Sequence, residues 1–431
     1  KVFDEMPDKN VFAWTSMVNG YISCRDIVSA RHLFESAPDH DVVLWNAMLY
    51  GYIELEEILT AKKLFDVMPD RDLICWNTML NGYARKGDVE AGKKLFDEMP
   101  CRDVFSWNGL LGCYSHAGQY VWVVATFKMM VTATGVHPDE ATIVTVLSAC
   151  AKTGALDMGK RVHVYSESYG FKDNVNVGNA LIDMYAKCGA AESAISVFQN
   201  MGFKDLVSWN TVIGGLAVNG YGSRGLSLFS QMRSAGMKPD GVTFIGVLCA
   251  CTHMGLVGDG LAYFRSLTND YAIVPQIEHY GCVVDLLARS GLVNEAVEFV
   301  RNIPVKADCV IWKALLGASR IHKNVEVAEL AFEKLAKLEP KEPSNYVMLA
   351  NVYLDVGRQV DVAQMKVEMR DTGYKKVPGC SFIEVDGGVV EFFSFDERHP
   401  EGDVIYEALR GLTKLLRSCG CVPEPFMEPF G

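Results

Sequence analysis

The chain has 431 residues and a formal net charge of −12. This acidic balance argues against a protein that holds nucleic acid mainly by binding phosphates with basic side chains. The hydrophobic fraction of 49% excludes an intrinsically disordered chain, and the longest apolar run, at 121–127, is too short to cross a bilayer.

Tryptophan residues give the chain a period. Trp14, Trp45, Trp76 and Trp107 follow one another at intervals of 31 residues, and the later intervals divide into steps of 31 to 36 residues. Such self-similarity is typical of repeat proteins. Residues 1–10 are expected to end a truncated unit, so the natural N-terminus and any targeting peptide would lie outside this chain. The nine predicted units that follow are 11–41, 42–72, 73–103, 104–139, 140–174, 175–205, 206–240, 241–276 and 277–308.

The unit 73–103 shows the local pattern that the units share. Its first apolar stripe has the spacing of one helix face and consists of Trp76, Met79, Leu80 and Tyr83. Gly87 is predicted to end this helix, Asp88 to cap a second one and Pro100 to stop it. Each unit is therefore predicted to be a helix–turn–helix hairpin. Because one hairpin cannot bury its apolar face alone, the hairpins are expected to stack into an all-α, right-handed α-solenoid.

Two polar residues recur in addition to this apolar pattern. An Asn follows the Trp position at 46, 77, 108, 179 and 210, and an Asp ends the unit at 41, 72, 103, 139, 205, 240 and 308. Either residue could be a helix cap, since both types are favoured there. Capping alone would accept Ser or Thr as readily, and five units hold the same Asn and Asp. The pattern therefore favours a role on the inner surface of the solenoid.

Units of 31 to 36 residues with the pattern WN…GY…G…A…LF..MP..D resemble the plant pentatricopeptide repeat family over the whole chain. The mixed unit lengths resemble its PLS subclass, and tetratricopeptide repeats, with a uniform 34 residues, match less well. The resemblance implies that each unit recognises one base of single-stranded RNA through its fifth and last residues, which we call a recognition pair. The second residue of a unit, often apolar, could wedge between bases at Phe12, Val43, Ile74, Phe105, Val207 and Val242.

The resemblance assigns a base preference to six of the nine recognition pairs. Thr15 with Asp41 resembles the G-preferring pair. The pairs that resemble the U-over-C type are Asn46 with Asp72, Asn77 with Asp103, Asn108 with Asp139, Asn179 with Asp205, and Asn210 with Asp240. No clear preference is assigned to Val144 with Asn174, Ile245 with Gln276, and Gly281 with Asp308. The implied RNA is 5′-G-U-U-U-n-U-U-n-n-3′, with C tolerated at the U positions.

The C-terminal part resembles the extension of PLS proteins. Residues 309–342 and 343–376 are similar to two extension (E) motifs, 377–386 to the PG box, and 387–431 to the E-plus segment with a tail. Within this last segment, alternation after 389 predicts a short strand, and an amphipathic pattern predicts a helix from about 403 to 418.

No enzyme is predicted. The deaminase of this family needs His-x-Glu and Pro-Cys-x-x-Cys to hold zinc. His399-Pro400-Glu401 has the first spacing, but the downstream Cys419 and Cys421 are in Cys-x-Cys spacing. No catalytic residue, metal or cofactor is therefore expected, and a deaminase would be supplied in trans. The 13 cysteines lie mostly as single residues at apolar positions and are predicted to be reduced and buried.

The resemblance implies a site-recognition factor for C-to-U RNA editing in a plant organelle. Such a factor recruits a DYW-type deaminase and other editing proteins, with no membrane involved. Mitochondria are favoured over chloroplasts. One alternative is an RNA-binding factor for transcript stabilisation, processing or splicing, which would have more uniform units and no PG box. Another is a solenoid that binds only protein, in which exchange of the recognition pairs would change nothing.

Overall fold

The computed structural model describes Phe3, Met6 and residues 9–132, 135–371, 379–385, 388–393 and 401–419. These residues are mostly helical, and successive helices contact one another in chain order. The predicted all-α repeat solenoid is confirmed. None of the described helices combines the length and the apolar character that crossing a bilayer requires.

Every repeat unit contributes two helices. The first helix of each begins at the first residue of its unit; these are α1 (Val11–Ser23), α3 (Val42–Glu54), α5 (Leu73–Lys86), α7 (Val104–His116), α9 (Glu140–Thr153), α11 (Val175–Lys187), α13 (Leu206–Val218), α15 (Gly241–Met254) and α17 (Ile277–Arg289). The second helices are α2 (Ile27–Ser36), α4 (Ile58–Val67), α6 (Val89–Glu98), α8 (Tyr120–Thr132), α10 (Leu156–Ser168), α12 (Ala191–Asn200), α14 (Gly222–Ser234), α16 (Val257–Asn269) and α18 (Val293–Asn302).

The second helix accounts for most of the variation in unit length. It has ten residues in the units of 31 or 32 residues. It has 13 residues in the units of 35 or 36 residues. The first helix keeps 13 or 14 residues throughout. The first helices therefore keep a nearly constant length, while the second helices vary by about one turn.

The turn between the two helices requires a left-handed backbone. Gly87 has φ 66° and ends α5, as predicted, and glycines occupy the same turn in the later repeat units. In the first two units the residues in this conformation are Arg25, with φ 59°, and Glu56, with φ 63°. The backbone of these two residues is therefore strained, and glycine at either position would avoid the strain.

Aromatic contacts join one hairpin to the next. The ring of Phe96 in α6 contacts the edge of Trp107 in α7, with centroids 4.9 Å apart. The same Phe–Trp contact recurs between Phe34 and Trp45, Phe65 and Trp76, and Phe198 and Trp209. Trp107, Trp209 and Trp312 are buried, while Trp14, Trp45 and Trp76 are half-buried and pack against the core. The tryptophans therefore recur because they connect neighbouring hairpins.

The basic residue before several unit-ending Asp residues has a structural role. The guanidinium of Arg102 lies 4.8 Å from the ring centre of Phe96. Its Nε and Nη2 each donate to a carbonyl at the end of α6, those of Phe96 and Asp97, at 3.0 Å. Arg71 repeats this arrangement on Phe65 and Asp66. These cations satisfy helix carbonyls that would otherwise lack a donor.

Two further hairpins follow the repeat units. They consist of α19 (Cys309–Ile321), α20 (Val325–Leu338), α21 (Pro343–Asp355) and α22 (Gln359–Asp371). Two strands, β1 (Cys380–Val385) and β2 (Gly388–Phe393), then pair in a two-stranded sheet, and α23 (Gly402–Ser418) follows. The strand after 389 and the helix at 403–418 were predicted, but β1, within the PG box segment, was not.

The chain divides into two compact units, one of residues 1–374 with 384–389 and one of 375–383 with 390–431. Within the first, the carboxylate of Glu384 accepts hydrogen bonds from the backbone N–H groups of Asp157, at 2.8 Å, and Met158, at 2.6 Å. The N-cap residue of α10, Ala155, has no side-chain acceptor. A residue distant in sequence therefore caps this helix.

None of the cysteines within the described residues forms a disulfide bond. Cys75, Cys113, Cys150 and Cys251 are buried, as predicted. Burial raises the pKa of Cys113 to about 12, so this thiol stays protonated. The prediction of burial is wrong for the exposed Cys24, Cys101, Cys380 and Cys419, which lie at helix ends, in turns or in the C-terminal segment.

Candidate nucleic-acid interface

The structure brings together all five predicted Asn–Asp recognition pairs. Each Asn lies at the fifth residue of a first helix, and its amide Nδ2 donates to the carboxylate that ends the same unit. The distances are 3.2 Å for Asn46 to Asp72, 3.0 Å for Asn77 to Asp103, 3.0 Å for Asn108 to Asp139, 3.2 Å for Asn179 to Asp205 and 3.0 Å for Asn210 to Asp240. Residues 26 to 31 positions apart thus form one polar group.

Capping explains the position of the Asp but not that of the Asn. Asp103 is the N-cap of α7, and its Oδ1 accepts from the backbone N–H of Ser106 at 2.9 Å. The same carboxylate accepts from Asn77. Asn77 itself lies inside α5, where no helix-terminal N–H is available to it. Each Asp therefore serves both the next helix and the recognition pair, whereas the Asn serves the pair.

Hydrogen bonds hold four of the unit-ending carboxylates in the ionised form. Burial acts to raise the pKa of Asp103, but the backbone and hydroxyl of Ser106 and the amide of Asn77 donate to it and outweigh burial. Its pKa therefore lies below the ordinary value. The same balance lowers the pKa of Asp72, Asp139 and Asp205. At neutral pH these groups can only accept hydrogen bonds.

The other predicted pairs do not form this contact. Thr15 Oγ1 is buried without a hydrogen-bond partner among the described residues. Asp41 accepts from the backbone N–H of Leu44 at 2.8 Å. At the ends of two other units, Asp308 caps α19, and the backbone N–H of Gln276 donates to His279. Their fifth residues, Gly281 and Ile245, have no polar side chain with which to pair.

Unit 140–174 replaces the recognition pair by a different set of bonds. Its first residue, Glu140, accepts from Asn174 Nδ2 at 2.6 Å and from Asn176 Nδ2 at 2.7 Å. Its fifth residue, Val144, is apolar and half-buried. Asn174, the last residue of this unit, therefore bonds to the carboxylate of the first residue, Glu140, and not to the fifth residue.

Exposed apolar side chains accompany the pairs at the second residue of most units. The six predicted wedge residues are all exposed, at 79% for Phe12, 55% for Val43, 62% for Ile74, 66% for Phe105, 55% for Val207 and 57% for Val242. Such exposure is unusual for large apolar side chains at regular intervals. The first helices therefore present a series of exposed apolar side chains together with amide–carboxylate pairs.

Sequence reasoning missed a third side chain at three of the pairs. The hydroxyls of Ser106, Thr142 and Thr243 lie at the third residue of the following unit. They contact Oδ1 of Asn77 at 2.7 Å, of Asn108 at 2.6 Å and of Asn210 at 2.6 Å, respectively. The sequence does contain a signal for these hydroxyls, because a Ser or Thr lies three residues after the unit-ending Asp. The same spacing is also typical of helix capping.

The C-terminal hairpins carry a different arrangement. The fifth residue of 309–342 is Lys313, whose Nζ lies 2.7 Å from Glu339 Oε2. A charged residue thus replaces the Asn at the fifth position, and it pairs with Glu339 rather than with Glu342, which ends the segment. His399 of the His-x-Glu spacing lies outside the described residues. Within the described part of the chain, no group of three or more His, Cys, Asp or Glu side chains could hold a metal ion.

Family models match most of the repeat region. A model described as "PPR repeat" matches residues 12–42, 43–73, 74–104, 105–133 and 179–206, and a model described as "PPR repeat family" matches 204–253. A model described as "E motif" matches 322–384.

Curated plant proteins are similar in sequence. Pentatricopeptide repeat-containing protein At3g29230 of Arabidopsis thaliana is 44% identical over 65% of this chain and 47% of its own length. At1g08070, named chloroplastic, is 42% identical over 72% of this chain and 42% of its own length. At2g03880, named mitochondrial, is 41% identical over 69% of this chain and 47% of its own length. The chain spans about half the length of the curated relatives it matches.

Solved structures share the fold. The crystal structure of the pentatricopeptide repeat protein PPR10 from maize is 22% identical with a TM-score of 0.50, covering 86% of this chain and 55% of that one. PPR10 in complex with an 18-nt psaJ RNA element is 17% identical with a TM-score of 0.64, covering 84% of this chain and 61% of that one. With its repeating helical hairpins, its matching repeat models and its plant relatives, the chain belongs to the pentatricopeptide repeat family.

Proposed function

We propose that this chain binds single-stranded RNA in a sequence-specific manner, with one base recognised by each unit. The observation that carries this proposal is the series of five Asn–Asp pairs on the first helices. The structure of PPR10 with an RNA element supports it, since this chain shares that fold. Repeat proteins of this kind can recognise one base per helical repeat through two or three side chains.

The chemistry of the pair suits a pyrimidine. The Asn amide uses one N–H on the Asp and retains a second, which can donate to a base carbonyl. The Asp carboxylate orients the amide and can accept, directly or through water. The resulting proposal for the bound RNA is 5′-G-U-U-U-n-U-U-n-n-3′, with C tolerated at the U positions.

Base contacts rather than phosphate contacts are proposed to supply the specificity. The net charge is −12, and Asp72, Asp103, Asp139 and Asp205 remain ionised. Arg71 and Arg102 bind helix carbonyls. Exposed side chains such as Phe105 are available to stack against bases, which is sequence-tolerant and adds affinity.

The proposed biological role is site recognition for organellar C-to-U RNA editing, with a deaminase recruited in trans. The E motif match at 322–384 supports it, because the family resemblance associates these motifs with editing. The relatives include one named chloroplastic and one named mitochondrial, so they support an organelle without favouring mitochondria.

Binding to matched and permuted RNA tests the proposal. We expect the full chain to bind G-U-U-U-n-U-U-n-n more tightly than an RNA of the same composition in scrambled order, measured by fluorescence anisotropy. The double variant Asn77→Ala and Asp103→Ala should lose preference at the third nucleotide, by about tenfold, and keep it elsewhere. Circular dichroism of the variant serves as the folding control. Equal affinity of the wild-type chain for both RNAs would contradict sequence-specific recognition.

A further inference from the structure

In three of the five Asn–Asp pairs, the carbonyl oxygen of the Asn also contacts a buried hydroxyl group. Ser106, Thr142 and Thr243 have no solvent exposure, and each lies at the third residue of the unit that follows the pair. Their hydroxyl oxygens lie 2.6–2.7 Å from the Asn carbonyl oxygen and 2.8–2.9 Å from the Asp carboxylate. In all three, the contact to the Asn is the shorter one.

The bonds around each hydroxyl determine where its proton goes. The backbone N–H of Asp103 donates to Ser106 Oγ at 3.2 Å, and the equivalent bonds to Thr142 and Thr243 are 3.3 and 3.1 Å long. The hydroxyl oxygen therefore accepts from the backbone. Of the two acceptors within reach of its single proton, the Asn carbonyl oxygen is the nearer, and we assign the proton to it. The Asn amide then lies between a hydroxyl that donates to its carbonyl and a carboxylate that accepts from its Nδ2.

The two remaining pairs lack this third bond. At Asn46 the equivalent residue is Cys75, whose Sγ contacts Asp72 at 2.9 Å. At Asn179 it is Ser208, whose Oγ contacts Asp205 at 2.8 Å. The carbonyl oxygens of Asn46 and Asn179 are buried and have no hydrogen-bond partner within the described residues. The chain therefore contains three Asn–Asp pairs in which a hydroxyl contacts the Asn carbonyl and two in which this contact is missing.

We propose that the hydroxyls of Ser106, Thr142 and Thr243 are positioning residues that set the choice between uracil and cytosine at the preceding unit. The inference rests on the proposed RNA recognition. The hydroxyl draws the Asn carbonyl inward, so that the amide presents its second N–H to the base. That N–H complements a uracil carbonyl, whereas an amide turned the other way presents a carbonyl that complements the exocyclic amine of cytosine. The hydroxyl therefore favours U over C.

Ser106→Ala and Ser208→Ala form a matched pair for the test. Both serines cap a first helix through the same Asp–Ser bonds, but Ser106 also contacts the Asn carbonyl. Affinities of the full chain are measured for RNAs with U or C at the third nucleotide, for unit 73–103, or at the sixth, for unit 175–205. The ratio of the two affinities is independent of the fraction of active protein, so a modest loss of stability does not affect it.

We expect Ser106→Ala to lower the U-to-C affinity ratio at the third nucleotide by about fivefold, the effect of one lost hydrogen bond. Ser106→Thr should retain the ratio, because Thr142 and Thr243 serve the same role. Ser208→Ala should leave the ratio at the sixth nucleotide unchanged.

An unchanged ratio in Ser106→Ala, where the wild-type chain prefers U, would overturn the role of the hydroxyl and leave RNA recognition standing. An equal drop in Ser208→Ala would overturn it too, because capping would then be the cause. A wild-type chain that binds U and C equally at the third nucleotide would overturn this inference, and the proposed function would stand as long as the chain still distinguishes the matched RNA from the scrambled one.

Discussion

At the scale of single residues, each Asp at a unit boundary bonds to two neighbours at once. Asp103 caps α7 through the backbone of Ser106 and orients the amide of Asn77. The Asp103 carboxylate accepts the hydrogen bonds in both interactions, and these bonds lower its pKa. Stability of the solenoid and orientation of the recognition pair therefore depend on the same charge.

This dependence predicts acid sensitivity. The folded-state pKa values of Asp72, Asp103, Asp139 and Asp205 are lowered, so their contribution to stability is complete above the unfolded-state pKa of about 3.9 and is lost as pH falls through the folded values. We expect the thermal midpoint to fall steeply below about pH 4. Asp103→Asn should reduce that fall, since one titrating group is removed. A midpoint that does not drop between pH 5 and pH 3 would contradict the prediction.

At the scale of elements, the first and second helices are under different constraints. The first helices begin at the unit boundary and keep a length of 13 or 14 residues, so the fifth residue of each unit recurs at the same place in its helix. The second helices vary between ten and 13 residues. The turn between them requires a left-handed residue, which is Gly87 after α5 and Glu56 after α3.

Exchanging the residue in this turn should change the stability of the chain in opposite directions at Glu56 and Gly87. Glu56→Gly should stabilise the chain by about 1 kcal/mol, because glycine adopts φ 63° without a Cβ clash. Gly87→Ala should destabilise it by at least as much, because a Cβ is strained at φ 66° and would also lie 3.3 Å from the backbone N of Ala117. Thermal unfolding followed by circular dichroism measures both shifts. Destabilisation by Glu56→Gly would show that the glutamate side chain contributes more than the backbone strain costs.

At the scale of the whole molecule, the repeat units and the C-terminal segment present different surfaces. The repeat units present polar pairs between exposed apolar side chains such as Phe105. Helix α23 presents exposed leucines, including Leu409, Leu412 and Leu415. Under the proposed function, the first surface selects the RNA and the second is available to a protein partner.

Removing the residues after 386 tests whether RNA binding and recruitment of a protein partner depend on different parts of the chain. RNA affinity should change by less than about twofold, because the recognition pairs are retained, and editing should be lost. Leu409→Asp with Leu412→Asp should have the same effect without shortening the chain, and Lys414→Gln on the same helix is the control. Editing is measured by sequencing organelle RNA from a loss-of-function line that carries each variant. Undiminished editing in the truncated chain would contradict recruitment through this segment.

The sequence by itself determined the helical hairpins and their order. Apolar spacing, Gly87, Asp88 and Pro100 are local signals, and local hydrogen bonding and side-chain burial respond to them directly. It also indicated which Asn and Asp belong together, through their repetition and the family resemblance.

Only the tertiary structure decided which side chains meet. The distance between neighbouring first helices places Ser106 on the carbonyl of Asn77, while Ser208, at the same place in its unit, reaches only Asp205. Thr15 and Asp41 match a family pair in sequence, but Thr15 Oγ1 has no hydrogen-bond partner within the described residues and Asp41 accepts from the backbone of Leu44 instead. Glu384 reaches the first turn of α10 from more than 220 residues away. Such contacts depend on tenths of an ångström in helix packing, which residue types alone do not specify.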